Sequence, residues 1–168
     1  MNRKLFLKKT ASVLALSGIT PSGIFALSPL QNEPPPFDKK LVKEFVVAGH
    51  RDMNKLQEML EEHPNLIYCS YDWGNGDFEE AIEGAGHLGN REIANYLIEK
   101  GARVNLFVMA MLGKTSQVTS ALEAFPHLIN SLGPHGFTLL HHAKAGDAKE
   151  LEDYLTEKGL TKTHIKIK

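Results

Sequence analysis

Three histidines, His135, His141 and His142, fall within eight residues, a density that raises the possibility of a metal site. Adjacent helical residues point about 100° apart, however, so His141 and His142 are poorly placed to share one ion. Glu79, Glu80 and Glu83 stand together at the start of a short helical pattern, where carboxylates complement the positive end of the helix dipole. A general acid/base pair would need a distinct environment for each group, and nothing in the local sequence marks one. Cys69 is the single cysteine, so an internal disulfide framework is excluded. A nucleophilic thiol needs a base and an electropositive setting. The neighbours Tyr68, Ser70, Tyr71 and Asp72 supply neither, so an inert, partly buried thiol is expected. Gly84-Ala-Gly86-His-Leu-Gly89 spells G-x-G-x-x-G, but no strand pattern precedes it, which argues against a dinucleotide site. The residues therefore predict no catalytic machinery, no cofactor and no resident metal, with a His135/His141/His142 metal site as an alternative.

The elements that carry these residues repeat. Leu60-Glu61-x-x-Pro64-x-Leu66-Ile67 returns as Leu122-Glu123-x-x-Pro126-x-Leu128-Ile129, at an offset of 62. Tyr96-Leu97-x-Glu99-Lys100-Gly101 returns as Tyr154-Leu155-x-Glu157-Lys158-Gly159, at an offset of 58. Each offset spans two units of about 30 residues, in the range of helical repeat arrays. Leu56/Leu60, Ile93/Leu97, Val118/Leu122 and Leu151/Leu155 are i, i+4 apolar pairs, each on one helix face. A small residue and a glycine precede each pair, at Ala48-Gly49, Ala85 to Gly89, Leu112-Gly113 and Ala145-Gly146. The pattern predicts short helix, glycine turn, second helix and loop, four times between about residues 41 and 160.

Gly136-Phe-Thr138-Leu-Leu140-His141-His-Ala143 resembles the ankyrin opening G-x-T-P-L-H-x-A, with leucine in place of proline. Glu99-Lys-Gly101-Ala102-Arg103-Val104-Asn105 resembles the ankyrin ending x-x-G-A-D-V-N, with arginine in place of aspartate. Gly113 and Gly146 fall where that family keeps its inter-helix glycine, although Glu80-Ala-Ile-Glu83 departs from T-P-L-H. The resemblance implies an all-α solenoid of about four helix-turn-helix repeats with short β-hairpin fingers, binding proteins without catalysis. It also implies that His141 bonds backbone between repeats. Tyr71 to Phe78 and Leu132 to Phe137 become the projecting fingers, and Asn75-Gly76 is a tight-turn signal. Tyr and Trp commonly anchor interfaces, so Tyr71, Trp73, Asp77, Phe78, His135 and Phe137 form the expected partner-binding surface. The competing expectation is that Trp73 folds back over the end of the stack.

Outside the repeats, residues 1–26 read as an export signal. Arg3, Lys4, Lys8 and Lys9 precede an apolar run from Ala11 to Ile19 and a small-residue exit near Ala26. Asn2-Arg-Lys-Leu-Phe-Leu-Lys8 resembles the twin-arginine motif S-R-R-x-F-L-K, with Lys4 in place of the second arginine, so the general secretory route stays open. Residues 27–40 form a Pro-rich tether around Pro34-Pro-Pro36, and residues 161–168 a basic, solvated tail. The balance of 19 basic against 20 acidic residues disfavours a general nucleic-acid binder. No apolar run reaches the ~18 residues of a permanent membrane span. The sequence thus predicts a bacterial, exported, monomeric module, periplasmic or secreted, that recognises another protein. An inhibitor or immunity protein for a co-exported enzyme is one version of that role.

Overall fold

Helices dominate because the apolar spacing demands it, and they come in pairs. The computed structural model describes residues 34–167, and residues from Phe37 onward form one compact unit. The expected export signal, and residues 27–33 of the tether, lie outside the described residues. Asp38 caps α1 (Lys39–Arg51) by accepting the Lys40 and Leu41 amides. Asp52 then caps α2 (Met53–Glu62) by accepting Lys55 N–H at 3.0 Å. The first inter-helix turn is therefore made by Asp52 and not by Gly49, which lies inside α1. A Cβ on Gly49 would come within 2.3 Å of the Ala81 carbonyl oxygen, so this glycine permits helix contact rather than a turn. A 3-10 turn, Pro64–Tyr68, follows, and a two-stranded hairpin pairs β1 (Ser70–Asp72) with β2 (Phe78–Glu80) in antiparallel register.

The second pair is α3 (Ala81–His87) and α4 (Arg91–Glu99), the latter capped by Asn90. The third is α5 (Leu106–Met111), capped by Asn105 with no finger before it, and α6 (Thr115–Ala124). Two 3-10 turns, Pro126–Asn130 and Pro134–Gly136, lead to α7 (Leu139–Ala145) and α8 (Lys149–Glu157). The first helices of the pairs pack in chain order, α1 on α3, α3 on α5 and α5 on α7. Gly89 and Gly113 take φ of +70°, the left-handed turn expected of them. In the last pair that conformation falls on Asp147 (φ +52°), not on Gly146. Gly146 is instead required by proximity, since a Cβ there would lie 1.8 Å from the Met111 carbonyl oxygen.

One apolar core runs from Val42 to Met111 and a second from Ala110 to Leu155. The i, i+4 pairs supply much of both: Leu56, Ile93, Leu97, Val118, Leu151 and Leu155 are fully or almost fully buried. Each such aliphatic side chain contributes roughly 1.5–3 kcal/mol of burial. Arg91 ties successive units by donating to the Leu112 carbonyl at 3.2 Å and the Gly146 carbonyl at 2.5 Å. The tail is mostly exposed, and its backbone is fastened to the last unit. Thr138 N–H donates to Thr163 O, Ile165 N–H donates to Gly136 O, and Phe137 bridges His164. No helix among the described residues is long and apolar enough to cross a membrane.

Candidate functional site

Strand geometry explains what the sequence pattern misassigned. Successive residues of β2 face opposite sides, so Phe78 is exposed, Glu79 is fully buried and Glu80 lies half-buried next to the helix start. The three carboxylates therefore do not act together as helix-dipole partners. Glu83 accepts the Glu80 amide at 2.7 Å and receives Asn105 Nδ2–H, while Glu80 pairs with Arg103 at 2.7 Å. Burial raises the pKa of both Glu80 and Glu83 above the ordinary carboxylate value. Glu79 points the other way, into a group of histidines.

Four elements deliver that group. His50 stands in the last turn of α1, Glu79 in β2, His87 at the end of α3, and His135 in the 3-10 corner before α7. Glu79 Oε1 lies 3.4 Å from His50 Nε2 and 3.3 Å from His87 Nδ1, and Glu79 Oε2 lies 3.4 Å from His135 Nε2. Trp73 Nε1–H donates to Glu79 Oε2 at 2.8 Å. The outer nitrogens are fixed as well: His50 Nδ1–H donates to Val46 O at 3.0 Å, and His135 Nδ1–H to Asp77 Oδ2 at 2.8 Å. Asp77 Oδ1 also accepts the His135 backbone N–H at 2.7 Å, holding that residue at a left-handed φ of +60°. The packing is close on the other side too, because a Cβ on Gly84 would lie 2.6 Å from His50 Nδ1.

The protonation states follow from these surroundings. Once protonated, His50 Nε2 can donate to Glu79, so the carboxylate raises the His50 pKa above the ordinary value against the opposing effect of burial. Burial lowers His87 to about 4, with Glu79 opposing the shift and the neighbouring histidines adding to it. His87 is therefore neutral at pH 7. The four side chains are the group of at least three His, Cys, Asp or Glu residues, among those described, whose ligand atoms converge, all within 4.8 Å of one another. Chemically, the arrangement can hold protons or a cation.

The structure redistributes the residues singled out from sequence. His135 joins the converging group, but His141 and His142 do not. His141 Nε2–H donates to the His87 carbonyl at 2.8 Å, and His142 Nδ1–H to the Thr138 carbonyl at 2.9 Å, with their rings 81° apart. The His135/His141/His142 trio therefore does not converge: among the described residues, the ligand atoms that gather with His135 are those of His50, Glu79 and His87. Of the expected partner-binding residues, Trp73 and Asp77 are turned inward to Glu79 and His135. Tyr71 meets the Trp73 ring edge-on at 4.8 Å, and Phe137 stacks on His141 at 4.0 Å. Phe78 is the one left fully at the surface, 57% exposed. Cys69 is half-buried, and burial raises its thiol pKa, in keeping with an inert group.

Sequence reasoning passed over His50 and His87, although a signal was present. Ala48-Gly49-His50 and Ala85-Gly86-His87 are the same tripeptide at the ends of α1 and α3. Because those helices pack on each other, equivalent positions become neighbours, and the two imidazoles sit 4.9 Å apart. In comparisons with known proteins, no family model matches the chain and no curated protein matches it.

Proposed function

We propose that this protein is an exported, non-enzymatic recognition module, built as a stack of ankyrin-like repeats and binding another protein. The observation that carries this reading is the ordered packing of α1, α3, α5 and α7, with connections gathered beside them. Units that contact mainly their neighbours present an extended surface, which is the usual employment of repeat arrays. Beside that stack runs a shallow cleft of about 170 Å³, lined by Phe78, Phe107, Leu132 and Pro134 among others. Its exposed ring, Phe78, is the anchor such a surface offers a partner. Trp73 is better understood as the support that holds the hairpin in place, given its bond to buried Glu79.

The test is affinity capture from the cell envelope of the source bacterium with the full chain as bait, beside Phe78→Ser. A protein retained by the wild type and lost by the folded variant supports recognition through this cleft. Fractionation of the same cells tests export, since retention of the full-length chain in the cytoplasm would overturn it.

A further inference from the structure

We infer that His50, Glu79, His87 and His135 form a binding site for one divalent transition-metal ion of the zinc type. The inference goes beyond the recognition reading and stands independently of it. It begins with the direction of lone pairs. His50 and His135 each spend their Nδ1–H on an acceptor, Val46 O and Asp77 Oδ2. In the neutral imidazoles both Nε2 atoms are therefore bare lone pairs, and both face a carboxylate oxygen at 3.4 Å. Acceptor facing acceptor in a buried place is unfavourable unless something positive lies between them. Two further atoms have the same need: Glu79 Oε1 and His87 Nδ1 are buried, 3.3 Å apart, and complete no hydrogen bond.

The spacing fits an ion. Ligand atoms held 2.0–2.1 Å from a common tetrahedral zinc are about 3.3 Å from one another. His50 Nε2 and His87 Nδ1 stand 3.4 and 3.3 Å from Glu79 Oε1, His135 Nε2 stands 3.4 Å from the second oxygen of the same carboxylate, and one ligand atom from each of the four residues lies within 4.8 Å of the others. Three imidazoles with one carboxylate is a borderline-soft set, suited to zinc and its transition-metal neighbours and not to calcium or magnesium. The outer contacts are those a metal site uses: a backbone carbonyl on one histidine, a carboxylate on another, and an indole N–H fixing the carboxylate ligand. Glu79 and Asp77 together bring two negative charges, which balance a divalent cation. The left-handed backbone at His135 and the missing Cβ at Gly84 are the conformational and steric concessions that let the rings converge.

The experiment uses the full chain, stripped with chelator and then titrated with Zn²⁺ and, separately, with Co²⁺. The expected result is one bound Zn²⁺ per chain, with the intense visible absorption of four-coordinate Co²⁺. His50→Gln and His87→Gln are expected to weaken binding at least 100-fold, and Asp77→Asn, which holds His135 by its outer ring nitrogen and backbone N–H without itself being a ligand, by 10–100-fold. His127→Gln, at an exposed histidine remote from the group, is expected to bind as the wild type does. Failure of the folded wild type to bind either ion overturns the proposal, as does the weak spectrum of six-coordinate Co²⁺. Unchanged affinity in folded His87→Gln overturns it equally. Should the ligand variants not fold, the Co²⁺ spectrum of the wild type and the Asp77→Asn affinity still decide.

Discussion

Leu60–Ile67 and Leu122–Ile129 share one pattern, Leu-Glu-x-x-Pro-x-Leu-Ile, and they begin in the same way. Each leaves a helix through a residue with nearly identical backbone angles, His63 at φ −133°, ψ 75° and Phe125 at φ −134°, ψ 77°, and winds into a five-residue 3-10 turn opened by proline. Beyond that point they part. The first buries Leu66 and Ile67 and continues into the β1–β2 hairpin, which supplies Asp77 and Glu79. The second leaves Leu128 and Ile129 half-buried and turns a tight corner that supplies His135. Repetition thus sets where the two connections stand, side by side, and departure from repetition decides what each presents. The polar group exists because two non-equivalent connections meet.

The largest expected effect tests the packing difference. Leu66→Ala should cost about 3 kcal/mol of stability and Leu128→Ala about 1 kcal/mol, read from urea midpoints. Equal losses would break the comparison at its base.

A second difference lies in how the histidines are accommodated. Those beside the first connection face a carboxylate, whereas His142, packed behind Gly133 of the second, has only the Thr138 carbonyl as its hydrogen-bond acceptor. Burial therefore lowers His142 to about 4, with His141 adding to the shift. The folded pKa lies below the unfolded value, so the stabilisation is complete above pH 6.5 and is lost as pH falls toward 4. Between pH 7 and pH 5 that loss amounts to about 2 kcal/mol for this residue. It should appear as a steeper pH dependence of the urea midpoint in the wild type than in His142→Asn. Parallel curves would show that the two histidine environments do not differ.

Smaller effects sharpen the picture at the surface. Arg103 crosses to the first connection, donating to Tyr68 O at 2.9 Å and pairing with Glu80. Because the guanidinium is mostly exposed, Arg103→Ala should cost only about 0.5 kcal/mol. Phe78→Ser should leave stability within about 0.5 kcal/mol while removing any captured partner. A large stability loss there would mean that the Phe78 ring belongs to the core.

The helix pairs were legible in the sequence because i, i+4 leucines and isoleucines carry a local signal that packing preserves. The polar group was only half legible. Trp73, Asp77, Glu79 and His135 drew notice by type, but Glu79 was read as a helix-start residue because alternation over a three-residue strand is too short to register. His50 and His87 lie 37 positions apart and make sense only once α1 rests on α3. Their shared Ala-Gly-His ending is visible in hindsight of the packing, not of the spacing. The fastening of the tail was illegible for a similar reason, since its basic, mostly exposed residues say nothing of the backbone hydrogen bonds that hold it to Gly136 and Thr138.

Arg91 has a mechanical consequence. An array in which each unit grips only the next yields to tension one unit at a time, as a ladder of small events. By reaching past the third pair to the Gly146 carbonyl, Arg91 joins the His141–His87 and His135–Asp77 hydrogen bonds in making the last pair answer to earlier ones, so the end cannot peel away without straining the middle. Pulled from its two ends, this chain should resist to a higher force than a strictly neighbour-to-neighbour array and give way across several units at once, and Arg91→Ala should lower that force.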